Sequence, residues 1–484
     1  MVSTLWWLLF WTAAGLCVGS FLNVVIYRLP RDQSLRGPVW SACPHCKQRI
    51  RWHDNLPLLS FMVLGGRCRD CRAAIATRYP VVEAAMALVV LVLLDAFFIG
   101  HVRAGLCERT FGLTEQLAKD WPVFVAHLAL FACLFSMSAI DLEHYWVDVR
   151  FTNFATLTGF AMHTLWTPSH DTAWLRPYDT TAVMALLALA GLAVVWIVLI
   201  CQPHVDPEDY VEAPTAEPAF PAASAGAAHA EAGPSLRPSR SLAWLTGLML
   251  AALLVWLFMV AADLADAAHW PRAGLPLLLF FYLIVRESTV ERRSDHAIME
   301  AIHEERHSSR GMVAWEGALL APAILFALVG YLVMSGEGEL PARIGEALHL
   351  RFRVWGVSMM RSWEPFSGLA TAVSGYVIAG GIGWAVRIVF TFMLGKEAFG
   401  TGDVHLLAAA GCVAGWPVAV LAFFLTCGLA LVGWLITLRF KRTRALPLGP
   451  WLSLSLLAVV VFLDPILASP LLQRTFQAVR LLFF

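Results

Sequence analysis

Charge is what this chain has least of. Asp, Glu, Lys and Arg together make up 14% of 484 residues, and 35 basic side chains offset 35 acidic ones to a net charge of zero. That balance rules out the general electrostatic footprint of a nucleic-acid binder. The ten cysteines do not form a disulfide framework: four sit in two Cys-x-x-Cys pairs and the rest are scattered, mostly through apolar segments. There is no Rossmann-type glycine fingerprint for a nucleotide-like cofactor and no evident nucleophilic triad. No basic residue precedes the apolar core of the first run, Leu5 to Ile26, and the basic residues follow it. It therefore reads as a retained membrane helix and not as a signal peptide.

What the chain has in abundance is apolar surface. Hydrophobic residues reach 59%, far above a soluble domain, and many runs approach the roughly 20 residues that span a bilayer. The expected fold is an all-α polytopic membrane protein with about 9–12 transmembrane helices and a small cytosolic zinc-knuckle loop. Residues 1–27 form the first helix, 28–79 the loop, 80–167 a membrane core and 368–484 a second core segment. Between the cores, residues 168–367 form an insertion of extra helices around a disordered linker at 202–241, which is rich in Ala, Pro, Glu and Ser. Further expected helices run from Pro80 to Gly100, Pro122 to Ile140, Asn153 to Trp166, Thr180 to Cys201, Leu242 to Ala262, Leu275 to Val285, Val313 to Met334 and Leu369 to Leu394. A hairpin broken near Pro417 spans Val404 to Leu438, and a last helix runs from Trp451 to Leu463. Arg351, Arg353 and Arg361 mark a segment expected on the outer surface.

The loop after the first helix carries ten Lys/Arg against three Asp, which places it in the cytoplasm. Within it, Cys43-Pro44-His45-Cys46 and Cys68-Arg69-Asp70-Cys71 are separated by 21 residues. Two such pairs can surround one Zn²⁺ tetrahedrally, leaving no open position, so that the ion is structural. The competing reading is a redox or disulfide pair, which a cytosolic loop disfavours. His45 is a spectator because the ligand set is complete without it. His303 and His307, four apart in a charged stretch, fit a solvated helix better than a metal site.

Two acidic side chains stand out. Asp403 follows the glycines of Gly400-Thr401-Gly402 at the mouth of an apolar segment, and Asp141 ends another in Ser138-Ala139-Ile140-Asp141-Leu142. A carboxylate at the mouth of a membrane helix is costly and is a functional hypothesis by default; closely spaced glycines let the backbone bend and be approached. On position alone, Asp141 reads more readily as an interfacial carboxylate in water than as a functional group, and Glu83 as an acid placed well for its helix dipole. Counting crossings brings Asp141 and Asp403 to the same membrane face, with the Lys441-Arg442-Thr443-Arg444 cluster on that side. Two carboxylates held together there share a proton. Such a pair has the means for acid–base work on water, the ionised member as general base and the protonated one as donor to a carbonyl oxygen.

These residues resemble the type IV prepilin peptidases, bifunctional leader peptidase/N-methyltransferases among the Gly-x-Gly-Asp aspartyl membrane proteases. The matching blocks are Gly19 to Pro30, the cysteine loop with Asp54-Asn55-Leu56-Pro57 and Arg78-Tyr79-Pro80, Ile140-Asp141-Leu142, Gly400 to Trp416, and Leu446-Pro447-Leu448-Gly449-Pro450-Trp451. The resemblance implies that Asp141 and Asp403 are catalytic and that Gly400 and Gly402 are the motif glycines. It implies that Cys43, Cys46, Cys68 and Cys71 hold structural zinc and that Gly66 is tied to methyl transfer. It further implies S-adenosylmethionine as methyl donor and type IV prepilins or pseudopilins as substrates, with the site on the cytoplasmic face of a bacterial inner membrane and no nucleic acid involved. Three features depart from the family. Its aspartates lie much closer along the chain, Asp148-Val149 stands where it places Pro-Asp, and His405 replaces its lysine. The alternatives are a protease of this class without methyl transfer and a transporter or scaffold whose aspartates handle protons.

Overall fold

The computed structural model describes residues 2–31, 33–35, 41–100, 106, 111–145, 147–166, 179–201, 248–249, 251–256, 269–289, 309–335, 364–395, 399–438, 447–467 and 469–470. The linker at 202–241, the histidines at 303 and 307, most of the run 242–262, the arginines at 351, 353 and 361 and the basic cluster 441–444 lie outside them. Among the described residues the structure is helical, apart from two isolated antiparallel bridges in the cysteine loop.

Helix α1 covers Val2–Arg28, and the loop that follows holds the short α2, Leu59–Val63. Then come α3 (Arg78–Leu94), α4 (Leu113–His144) and α5 (Val149–Leu165). The segment between the two cores supplies α6 (Asp179–Cys201), α7 (His269–Ser288) and α8 (Ser309–Ser335). The second core holds α9 (Glu364–Leu394), α10 (Thr401–Ala414), α11 (Trp416–Thr437), α12 (Gly449–Val461) and the short α13 (Leu463–Leu467). Seven of these helices are long and apolar enough to cross a membrane, and α10 and α12 are shorter apolar helices beside them. The expected hairpin is split at Gly415, whose φ of +96° breaks the helix just before Pro417. Several boundaries differ from expectation: α5 begins at Val149, α7 at His269, α8 at Ser309 and α9 at Glu364, each four to six residues early, and α4 differs most. Helix α4 begins at Leu113 and carries Pro122 inside it, and it runs on through Asp141 to His144. Pro122 therefore does not mark the helix start.

Helix α3 is the axis of the bundle. It is apolar on all sides and buried along nearly its whole length, the pattern of a helix surrounded by others. Helices α1, α4 and α7 pack around it. At its far end a π-helical turn, Asp95–Ile99, presents the buried Asp95 to the buried Arg272 of α7 at 3.3 Å. Such a pair is tolerated in an apolar interior because each charge neutralises the other. Helices α5, α9 and α10 pack together as a second layer, α6 packs on α8, and α12 lies between α4 and α11. Outward-facing Trp196, Leu328, Phe392 and Leu435 are exposed, which suits contact with lipid.

Candidate active site and metal centre

Asp141 lies in the last turn of α4. The helix ends at Tyr145, whose φ of +51° is left-handed and whose N–H donates to the Asp141 carbonyl at 2.9 Å, a common way of closing a helix. The Asp141 side chain is only 5% exposed. That sets aside the reading of an interfacial carboxylate bathed in water. Its Oδ2 accepts a hydrogen bond from the backbone N–H of Gly449 at 3.0 Å. Gly449 opens α12, where an unpaired N–H would otherwise face the interior. A side chain at position 449 would put its Cβ 2.8 Å from that same oxygen.

Asp403 enters from the other core. Gly400 caps α10 in an extended conformation, and Asp403 stands in the first turn, where the N-terminal dipole favours a negative charge. Its N–H donates to the Gly400 carbonyl at 3.2 Å. Gly402 is needed for packing: a Cβ there would lie 2.7 Å from the Cβ of Val147, in the segment just after Asp141. The glycine thus lets the turn that bears Asp403 close against the segment leaving Asp141. Asp148, displaced by one position from the family pattern, is buried and caps α5. Its carboxylate accepts from the Arg150 backbone N–H at 2.8 Å and pairs with that residue's guanidinium.

The cysteine loop sits at the same end of the bundle. Asn23 of α1 donates to the Tyr79 carbonyl at 3.1 Å, and Arg78 reaches Glu143, two residues beyond Asp141, at 3.5 Å. Glu83 is buried in α3 and accepts from the backbone N–H of Leu58 at 2.7 Å. It therefore ties the loop to the membrane helix; α3 begins at Arg78, which puts Glu83 beyond the first turn and removes the basis for reading it as a helix-dipole acid.

The two Cys-x-x-Cys pairs fold as copies of each other. Lys47 and Arg72, each just after its pair, have φ of +60° and +59°. Their N–H groups donate to the carbonyls of Cys43 (2.9 Å) and Cys68 (3.0 Å). The N–H of Cys43 bonds the Gln48 carbonyl at 3.0 Å, and that of Cys68 bonds Ala73 at 2.8 Å. The bridges Ala42–Arg49 and Arg67–Ala74 repeat the match. The four Sγ atoms lie within 4.8 Å of one another, with Cys43 and Cys71 3.8 Å apart. A disulfide needs about 2.05 Å, whereas thiolates around a tetrahedral ion with bonds of about 2.3 Å stand roughly 3.8 Å apart. The cluster is built to hold a metal ion. Backbone N–H groups of Cys71 and Asp70 hold the Cys68 thiol down at about 7. Cys46, in spite of its hydrogen bond with Gln48, is pushed up to about 11 by burial and by the three neighbouring sulfurs. Such crowding of thiols favours a bound cation. His45 is exposed and takes no part. Arg69 grips Asp54 through two hydrogen bonds, 2.8 and 2.6 Å, and holds its carboxyl below the usual range.

Residues 13–97 match the family described as Bacterial Peptidase A24 N-terminal domain. The chain is 40% identical over 148 residues to a prepilin leader peptidase/N-methyltransferase of Myxococcus xanthus, covering 31% of this chain and 38% of that protein. It is 39% identical over 165 residues to a type 4 prepilin-like proteins leader peptide-processing enzyme of Escherichia coli O78:H11, covering 31% and 54%. With a prepilin leader peptidase/N-methyltransferase of Burkholderia pseudomallei it shares 31% identity over 209 residues, covering 38% and 58%. The matched part of the chain thus spans 38–58% of the length of these relatives. No solved structure matches.

Proposed function

We propose, proceeding from this relationship to the type IV prepilin peptidases, that the chain cleaves the leader from prepilin-like substrates and methylates the new N-terminus. The observation that carries the reading is the close packing of Gly402, beside Asp403, on Val147, just after Asp141, at the end of the bundle that also holds the cysteine loop. For two carboxylates brought together in an apolar setting, one shared proton is the economical state. The ionised one removes a proton from water as the water oxygen bonds to the scissile carbonyl carbon. The protonated one donates to the carbonyl oxygen. Collapse of the tetrahedral species breaks the C–N bond, and the leaving amine takes up a proton.

The depth of the pair suits a substrate with a basic leader in the cytoplasm and an apolar helix in the bilayer. The excess of Lys and Arg in the cysteine loop supports a cytoplasmic face of a bacterial inner membrane. Zn²⁺ in the Cys43, Cys46, Cys68 and Cys71 cluster fits four thiolates with no open position, so it would order the loop and take no part in cleavage. S-adenosylmethionine would supply the methyl group. The test is mass spectrometry of a prepilin co-expressed with the protein. A leader cut off and a mass increase of one methyl group at the new terminus support both activities. A cut without methylation reduces the reading to a protease, and an intact leader overturns it.

A further inference from the structure

Helix α8 comes from the segment that separates the two core regions, and it carries a carboxylate inside an otherwise apolar span. Glu316 is 7% exposed, and its partner, Arg387 of α9, is 2% exposed. Both Nε and an Nη of Arg387 lie 2.8 Å from Glu316 Oε1. The remaining Nη donates to the backbone carbonyl of Phe399. Phe399 is the residue immediately before Gly400, so its carbonyl precedes the first turn of α10 and has no helical partner. Its ring packs edge-on against Phe423 of α11, with centroids 5.7 Å apart. The lead-in to Gly400-Thr401-Gly402-Asp403 is thus fixed at two points, one apolar and one charged.

The guanidinium makes this arrangement directional. It is planar, and its donors form a rigid fork. With the edge formed by Nε and one Nη committed to Glu316, the orientation of the plane is set, and with it the direction in which the other Nη meets the Phe399 carbonyl. Lysine, a point charge on a flexible stem, would not impose that direction. Removing Glu316 takes away the carboxylate that holds one edge of the guanidinium, and the plane is then free to turn away from the Phe399 carbonyl.

We propose that Glu316 is a positioning residue: acting through Arg387 and the Phe399 carbonyl, it sets the turn that presents Asp403 to Asp141. The segment between the two core regions is then a working part of the site and not a passive spacer. This rests on the proposed proteolytic role of Asp403.

The competing explanation is that the ion pair only fastens α8 to α9. A charge swap separates the two. Glu316→Arg with Arg387→Glu restores an ion pair between the helices, but a carboxylate at position 387 cannot donate to Phe399. The full-length protein in detergent or liposomes is assayed for cleavage of a prepilin. Glu316→Ala and Glu316→Gln should lower kcat on the order of 10–100-fold with KM little changed. Glu316→Asp should recover part of the loss. The swap should restore thermal stability but not kcat, and the amides of residues 399–404 should exchange hydrogen faster in every variant with low kcat. Unchanged kcat in Glu316→Gln, or full recovery of kcat by the swap, overturns the proposal. Should Glu316→Ala fail to accumulate, Glu316→Gln and the swap still decide. If Asp403→Asn cleaves normally, it is the proteolytic reading that fails, and hydrogen exchange at 399–404 in the Glu316 variants still reports on the clamp.

Discussion

The backbone N–H of Gly449 donates to Oδ2 of Asp141 at 3.0 Å across 308 positions of chain. One bond joins the last turn of α4 to the first turn of α12 and fixes the direction of the Asp141 carboxylate. The same oxygen lies 2.8 Å from where a Cβ at 449 would stand. Gly449→Ala is therefore expected to displace Asp141 while the bundle still assembles. Crowding of this kind costs about 1–3 kcal/mol. Cleavage should fall by at least about tenfold, as misplacement of a reacting group predicts, with normal membrane expression on an immunoblot.

Gly402 presents the same geometry from the opposite side. Its missing Cβ is what admits Val147. Gly402→Ala should lower cleavage by roughly 10–100-fold, and Val147→Gly in the same chain should restore part of it by vacating the contested space. A rate assay on the two single variants and the double measures the coupling. Strictly additive losses would mean that the contact does not govern the site.

Replacing either aspartate by asparagine keeps size and removes the acid. Each single variant, Asp141→Asn or Asp403→Asn, should lose about 10²–10⁴-fold in cleavage rate. The double variant should be little worse than either single one, because the pair acts as a unit. Methyl transfer to a synthetic peptide that already bears the mature N-terminus should persist in all three.

The metal cluster gives a prediction independent of the carboxylates. Purified protein should contain one zinc per chain by atomic emission, and Cys68→Ser should lower that content. A strong chelator should speed proteolysis within residues 43–74, because the loop has little apolar core to hold it once the ion is gone. Methyl transfer should decline with zinc content, while cleavage is retained wherever Glu83 still anchors Leu58.

Much of the site could be read from the chain, and what could not shares one physical cause. The cysteine spacing is local, and the duplicated knuckles realise it as expected. The two aspartates stand out in the sequence because a carboxylate at the end of an apolar run is costly wherever it is found. Partners could not be recognised. The burial of Asp141 depends on a glycine in α12, and the role of Glu83 depends on Leu58 folding back onto α3. Glu316 and Arg387, 71 positions apart, belong to separate apolar runs, and periodicity says nothing about which runs touch. Helix α4 runs past both of its expected ends: Pro122 is accommodated inside the helix, and the last turn continues beyond Ile140 to His144.

The enclosure of α3 also constrains how the protein is made. Insertion into the bilayer follows the order of synthesis, so α3 enters with α1 beside it, long before α7 exists. Its π-turn acid, Asp95, meets the guanidinium of Arg272 only after the whole first core has been threaded. Until then the first core holds that acid without the ion pair it makes in the finished fold, an arrangement that is costly in an apolar setting. A truncation that stops before α7 should accordingly be recognised by membrane quality control as unfinished, even though its cysteine loop and Asp141 are already in place.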